Sequence, residues 1–121
     1  MRRKERAMKI AISAGFDDRD RPPPMGRSTS FFVVDSVHER SFTIDNSLNA
    51  VNDPEAGVWT AELLHERGVK VVIAGDVDRQ AAKYLREHGI VFFEDCRFAT
   101  PGEAYKKFIA GELEPANELP A

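Results

Sequence analysis

The sequence predicts an α/β protein: three α/β/α layers around a mixed five-stranded sheet, in the order β-β-β-α-β-α-β-α. Three observations lead there. The first half holds three short apolar segments, the second and third joined by a tight connection, which favours antiparallel neighbours. The second half alternates 3.6-period segments with β-branched runs, which favours parallel strands with right-handed helical crossovers. The chain has 121 residues, 42% of them hydrophobic, enough for one core without disulfides or metals.

Each element has its own signal. MKIAIS (8–13) is short and Ile-rich and predicts a central strand. AGFDDRDRPPPMGR (14–27) has two glycines, three prolines and no periodicity, so it predicts a loop. SFFVVDS (30–36) is nearly continuous in apolar residues and predicts a strand buried on both faces. VHER turns tightly into SFTID (41–45), which alternates Phe42 and Ile44 with polar neighbours and completes a hairpin. NSLNAVN (46–52) predicts a loop.

DPEAGVWTAELLHERG (53–68) predicts a helix capped by Asp53, with Pro54 at its first position and Gly68 at its end. VKVVIAG (69–75) predicts a buried strand. DVDRQAAKYLREHG (76–89) predicts a helix capped by Asp76, with Val77, Ala81 and Leu85 on one face. IVFFED (90–95) predicts the fifth strand. TPGEAYKKFIAG (100–111) predicts the last helix, opened by a Thr100/Glu103 capping box with Pro101 at the first helical position. The polar ELEPANELPA reads as a frayed tail. The chain thus divides into a disordered extension (1–7), one domain (8–114) and a disordered tail (115–121), with no internal repeat.

Charge narrows the function classes. Net charge is −3, and MRRKERA alone carries four cations against one Glu, so the body is acidic. An acidic body argues against nucleic-acid binding, which needs a basic face. The lone Cys96 rules out an internal disulfide and suits a reducing cytoplasm. No apolar run approaches a membrane span, and Lys9 interrupts the one segment that follows the basic start. In sheets of this kind ligands sit beyond the C-terminal ends of the parallel strands. Here that edge is formed by loops 14–29 and 75–78, with 46–57 within reach.

The ordered series MKIAIS, GRSTSFFVVD, DN, AGVWTAELLHERGVKVVIAG, AAKYLREHGIVFF and EAYKKFIAGEL resembles the dinitrogenase iron–molybdenum cofactor-binding family. This is the NifX-type domain, also found at the C-terminus of NifB and in small stand-alone proteins. The resemblance covers residues 8–114 and rests on order and spacing. It implies a ribonuclease H-like fold. It also implies non-catalytic carriage of an iron–molybdenum cofactor, its precursor or another metal–sulfur cluster; one branch binds a mixed molybdenum–copper sulfide. Gly26-Arg27, Asp45-Asn46, Ala56-Gly57 and Gly75 match the family pattern. Pro24 and Pro54 stand where many members have His, and Asp76 replaces a second glycine. Proline offers a metal no donor atom and has no N–H.

The candidate cofactor-binding residues are Gly15, Gly26, Arg27, Ser28, Asn46, Gly57, Gly75 and Asp76. Glycines allow close backbone approach, Arg27 supplies charge-assisted bonds, and Ser28 donates a hydroxyl. Cys96 is the candidate metal ligand, since a thiolate suits iron, copper or molybdenum–sulfur species. One thiolate cannot hold a cluster, so this role requires a homodimer. His38, His65 and His88 have no metal-pair spacing and read as solvated. Trp59, Phe31, Phe32, Phe92 and Phe93 read as core, and Trp59, near the start of its helix, has lining the pocket or an interface as its alternative.

Two alternatives stand beside the carrier. One is a family member that has lost its ligands and serves as a protein-interaction or regulatory module. The other is a Mg²⁺-dependent phosphodiesterase using Asp17, Asp18, Asp20, Asp76 and Asp78, which is disfavoured because MKIAIS supplies no acid. The implied partners are a cofactor donor or acceptor protein, with neither nucleic acid nor membrane.

Overall fold

A computed structural model of the chain describes residues 8–14, 23–51, 53–94 and 96–116. The elements are β1 (Lys9–Ala14), a 3-10 turn (Met25–Arg27), β2 (Ser30–Asp35), β3 (Arg40–Asp45), α1 (Ala56–Glu66), β4 (Val69–Ile73), α2 (Arg79–Glu87), β5 (Val91–Phe93) and α3 (Pro101–Ile109). The sheet order is β3-β2-β1-β4-β5. β2 is antiparallel to both β1 and β3, while β4 is parallel to β1 and β5. The mixed five-stranded sheet and its three helices match the predicted architecture.

The period of two along a strand builds two cores. Ala11, Phe31, Val33, Val72 and Phe92 meet Ala61 and Leu64 of α1 and Ala81 and Leu85 of α2. Ile10, Ile12, Ile73 and Phe93 face the other way, toward Ala104 of α3. Phe93 also packs edge-on against Phe108, with ring centroids 5.6 Å apart. Full burial of a side chain such as Ile12, Phe31 or Phe92 contributes about 1.5–3 kcal/mol.

β2 is buried on one face rather than both. Phe31, Val33 and Asp35 are inside, and Phe32 and Val34 are half-buried. The single helix α3 lies over β1 and leaves the β2–β3 side of its face thinly covered. β3 buries only Ile44, and Phe42 remains exposed with the Lys9 ammonium 5.9 Å from its ring centroid.

Two helix starts differ from expectation. α1 begins at Ala56, and Asp53 and Pro54 belong to the turn before it. The Asp53 carboxylate accepts from the Glu55 N–H (2.8 Å), and its carbonyl accepts from Ala56 (3.0 Å). α2 begins at Arg79, and its cap is Asp78 rather than Asp76, with Oδ1 accepting from the Ala81 N–H at 2.8 Å. The reason lies outside the helix. The Gly75 N–H donates to the Pro23 carbonyl (3.2 Å), and the Asp76 carbonyl accepts from Met25 (2.8 Å). Backbone engaged across to another loop cannot begin a helix.

α3 opens as expected: Thr100 Oγ1 accepts from the Glu103 N–H (3.1 Å), and Glu103 reaches back to the N–H of Ala99 (2.6 Å). Within the expected tail, Leu113 and Ala116 are engaged. Leu113 packs on the α3-side core, and the Ala116 N–H donates to the Phe92 carbonyl (2.8 Å) on the β5 edge. The expected extension (1–7) and residues 117–121 lie outside the described residues.

Candidate functional site

Three backbone segments converge where α1 and α2 begin. The loop after β1 is tied to the loop after β4 by the two bonds at Gly75 and Asp76. Met25 is fully buried and anchors the 3-10 turn in the core. Gly26 then lies directly on α1: a Cβ there would stand 2.9 Å from the Cα and N of Gly57. Only a residue without a side chain permits that approach.

These contacts leave a cleft of about 680 Å³. Gly26, Arg27, Ala56, Gly57, Asp78 and Arg79 form its working wall, with Pro24, Asp53, Pro54, Asp76 and Gln80 completing it. The Ala56 N–H is taken by the Asp53 carbonyl, but the next N–H groups of α1 have no intrahelical acceptor and the helix has no side-chain cap. The cleft therefore combines amide donors with the guanidiniums of Arg27 and Arg79. Against them stand three carboxylates. Two are already engaged, Asp53 with the Glu55 N–H and Asp78 with the Ala81 N–H.

The predicted site residues divide into three groups. Gly26, Arg27, Gly57 and Asp76 come together in the cleft. Ser28, Asn46 and Gly75 lie behind it and position it. The Ser28 hydroxyl donates to the Pro24 carbonyl (3.0 Å). Buried Asn46 donates to the Ser28 carbonyl (2.8 Å) and Thr60 Oγ1 (2.9 Å), fixing the β2 approach to α1. Gly15 lies outside the described residues, as do Asp17, Asp18 and Asp20.

Cys96 is absent from the cleft lining. It packs against the core beneath α3, on the opposite face of the sheet, and its thiol donates to the Glu94 carbonyl at 3.7 Å. Trp59, expected in the core, is 37% exposed. Arg79 and Gln80 were not legible as cleft residues, because their reaching it depends on the α1–α2 packing. Among the described residues no group of three or more His, Cys, Asp or Glu side chains could hold a metal ion.

The histidines are not simply solvated. His38 Nδ1 pairs with the buried carboxylate of Asp35 at 2.9 Å. Asp35 also accepts from the N–H groups of Val37 and His38, both at 3.1 Å. The His38 N–H and then its imidazole are the largest causes holding the Asp35 carboxyl below the ordinary Asp value. His65 and His88 meet each other beside Tyr84, with the two imidazole centroids 4.5 Å apart. An Asp three residues before His across a four-residue turn is the signal that finds the first pair. No local pattern finds the second.

Fold and cleft together define a small α/β/α domain with a cleft at the starts of two helices. The chain belongs to the dinitrogenase iron–molybdenum cofactor family, whose model matches residues 7–111. It is similar in structure to the apo form of the orange protein from Desulfovibrio gigas, with 26% identity and a TM-score of 0.82. That match covers 98% of this chain and 100% of the orange protein. A Thermotoga protein described as a candidate NifB protein matches with 24% identity and a TM-score of 0.73, over 94% of this chain and 97% of its own. That likeness supports the fold alone. No curated protein matches the chain significantly. No helix among the described residues is long and apolar enough to cross a membrane.

Proposed function

We propose that this protein carries an iron–molybdenum cofactor, its precursor or a related metal–sulfur cluster in the cleft between the 3-10 turn, α1 and α2. The observation that supports this most is the composition of the cleft wall. It holds two guanidiniums and helix-start amides beside three carboxylates, two of them already bonded to backbone N–H groups, and has neither a thiolate nor an imidazole. Such a wall suits an anionic guest whose own coordination sphere is complete, held by charge and hydrogen bonds rather than by protein–metal bonds. Pro24 and Pro54, which stand at the family's histidine positions, both line this wall. Gly26 and Gly57 keep it open at the backbone.

Carriage of cargo requires a donor and an acceptor protein. Leu48, Val51 and Trp59 are 92%, 42% and 37% exposed, and they lie in and just after the segment leading into α1. This apolar exposure favours a second reading, in which the same end of the molecule serves as an interaction module without cargo.

Anaerobic purification with metal analysis and visible spectroscopy separates the two. Spectra are taken before and after incubation with iron and sulfide, and with molybdenum or copper and sulfide. The carrier reading expects stoichiometric metal and a charge-transfer band, both reduced in Arg27→Ala and Arg79→Ala. A colourless, metal-free protein under every condition overturns it and directs the search to a protein partner.

A further inference from the structure

The ends of α1 and α2 away from the cleft hold a second cluster of donor side chains. His65 lies in the last turn of α1, and His88 is the residue that closes α2. The helix pair packs so that their rings stand 4.5 Å apart, tilted by 57°. Tyr84 lies one turn before His88 and stacks on it at 4.0 Å.

Hydrogen bonds decide which nitrogens are available. His88 Nδ1 lies 2.9 Å from the carbonyl of Tyr84. A carbonyl only accepts, so this nitrogen carries the proton, and Nε2 of the neutral ring holds the lone pair. His65 Nδ1 faces the Tyr84 hydroxyl at 3.4 Å, which accepts when Nδ1 carries the proton. In that tautomer both rings leave Nε2 to a metal, each backed by an outer partner of the kind that orients metal-binding imidazoles.

The local field favours a cation. Two helix C-termini end here, and each carries partial negative charge. Glu62, one turn before His65 on α1, and Glu66, next to it, add two carboxylates to this end of the helix.

We propose that His65 and His88 form a two-imidazole site for a borderline divalent transition-metal ion of the Zn(II) or Cu(II) class. The site is separate from the cleft, at the opposite ends of the same two helices, and does not depend on cargo carriage. Two imidazoles suit such ions, and linking them on one rigid scaffold gives the second bond without further loss of freedom.

The test is calorimetric titration of the full chain with Zn(II), together with Cu(II) electron paramagnetic resonance. The wild type should bind one saturating equivalent, and its Cu(II) spectrum should show two nitrogen couplings. His65→Gln and His88→Gln should each weaken Zn(II) binding by about a hundredfold, the advantage of two linked ligands over one. Each variant should also reduce the Cu(II) signature to one nitrogen. His38→Ala should bind as the wild type does. Exposed His88 makes its variant the one least prone to misfold. Absence of saturable binding overturns the proposal. So does either glutamine variant, shown folded by its thermal melt, that binds Zn(II) as tightly as the wild type, because the imidazoles then act independently.

Discussion

Gly57 and Asp78 occupy one space: a Cβ added at Gly57 would stand 2.0 Å from Asp78 Oδ2 and 3.2 Å from the Ala81 Cβ. The first turn of α1 thus rests against the carboxylate that caps α2. Alanine at 57 would gain about 1 kcal/mol of helix propensity. It would also displace the cap, costing about 1 kcal/mol, and crowd α2, costing about 1–3 kcal/mol. Gly57→Ala should therefore destabilise by about 1–3 kcal/mol. Gly26→Ala meets backbone rather than a side-chain end, and should cost about 2–3 kcal/mol. Urea unfolding measures both, and a neutral Gly26→Ala would contradict the close approach of the turn to α1.

The cap assignment yields a paired prediction. Asp78→Ala should cost about 1 kcal/mol through loss of the Ala81 N–H bond, whereas Asp76→Ala should stay within about 0.5 kcal/mol. Asp78→Asn keeps a capping oxygen and removes one negative charge from the cleft. It should therefore raise affinity for an anionic guest several-fold at low salt, about 1 kcal/mol or less, and the gain should shrink as salt rises. Equilibrium unfolding and anaerobic titration of the three variants check this together.

Acid should weaken the β2–β3 hairpin. The Asp35 carboxyl is held low first by the His38 N–H, then by the His38 imidazole. A depressed carboxyl contributes stability that is fully present above its unfolded value, near 3.8, and is lost as pH falls through the lower folded value. Stability should therefore drop below about pH 4. Asp35→Asn should flatten that drop without abolishing it, because the Ser47 N–H also holds the Asp45 carboxyl low. Unfolding curves collected from neutral pH downward give the comparison, and an unchanged slope in Asp35→Asn would remove Asp35 from the account.

Pro24 offers a gain-of-function test. Its φ of −54° and ψ of 146° are open to other residues, and its carbonyl, not its ring, accepts from Arg27 and Ser28. Pro24→His should leave the turn intact and place an imidazole on the cleft wall, where it adds a metal donor the wall lacks. Metal–sulfide affinity should rise. Equal affinities in the two proteins would show that a donor at this position is not what limits binding.

The order of strands and helices was determined by the sequence alone, because apolar periods of two and 3.6 are written in consecutive residues. The Thr100/Glu103 cap is equally local: its bonds reach no further than four residues. Gly26-Arg27 and Ala56-Gly57, read from their spacing in the family pattern, do meet in the cleft. Tertiary structure decided the rest. Asp78 displaced Asp76 as the cap because the loop at Pro23–Met25 claimed the backbone at 75–76. Cys96 went to the α3 face because its N–H bonds to the Ala74 carbonyl just past β4 and its side chain packs on the core beneath that helix. Arg79 reached the cleft, and His65 met His88, through the packing of α1 on α2. Such contacts follow from how two helices settle on a shared sheet, and no run of neighbouring residues encodes that geometry.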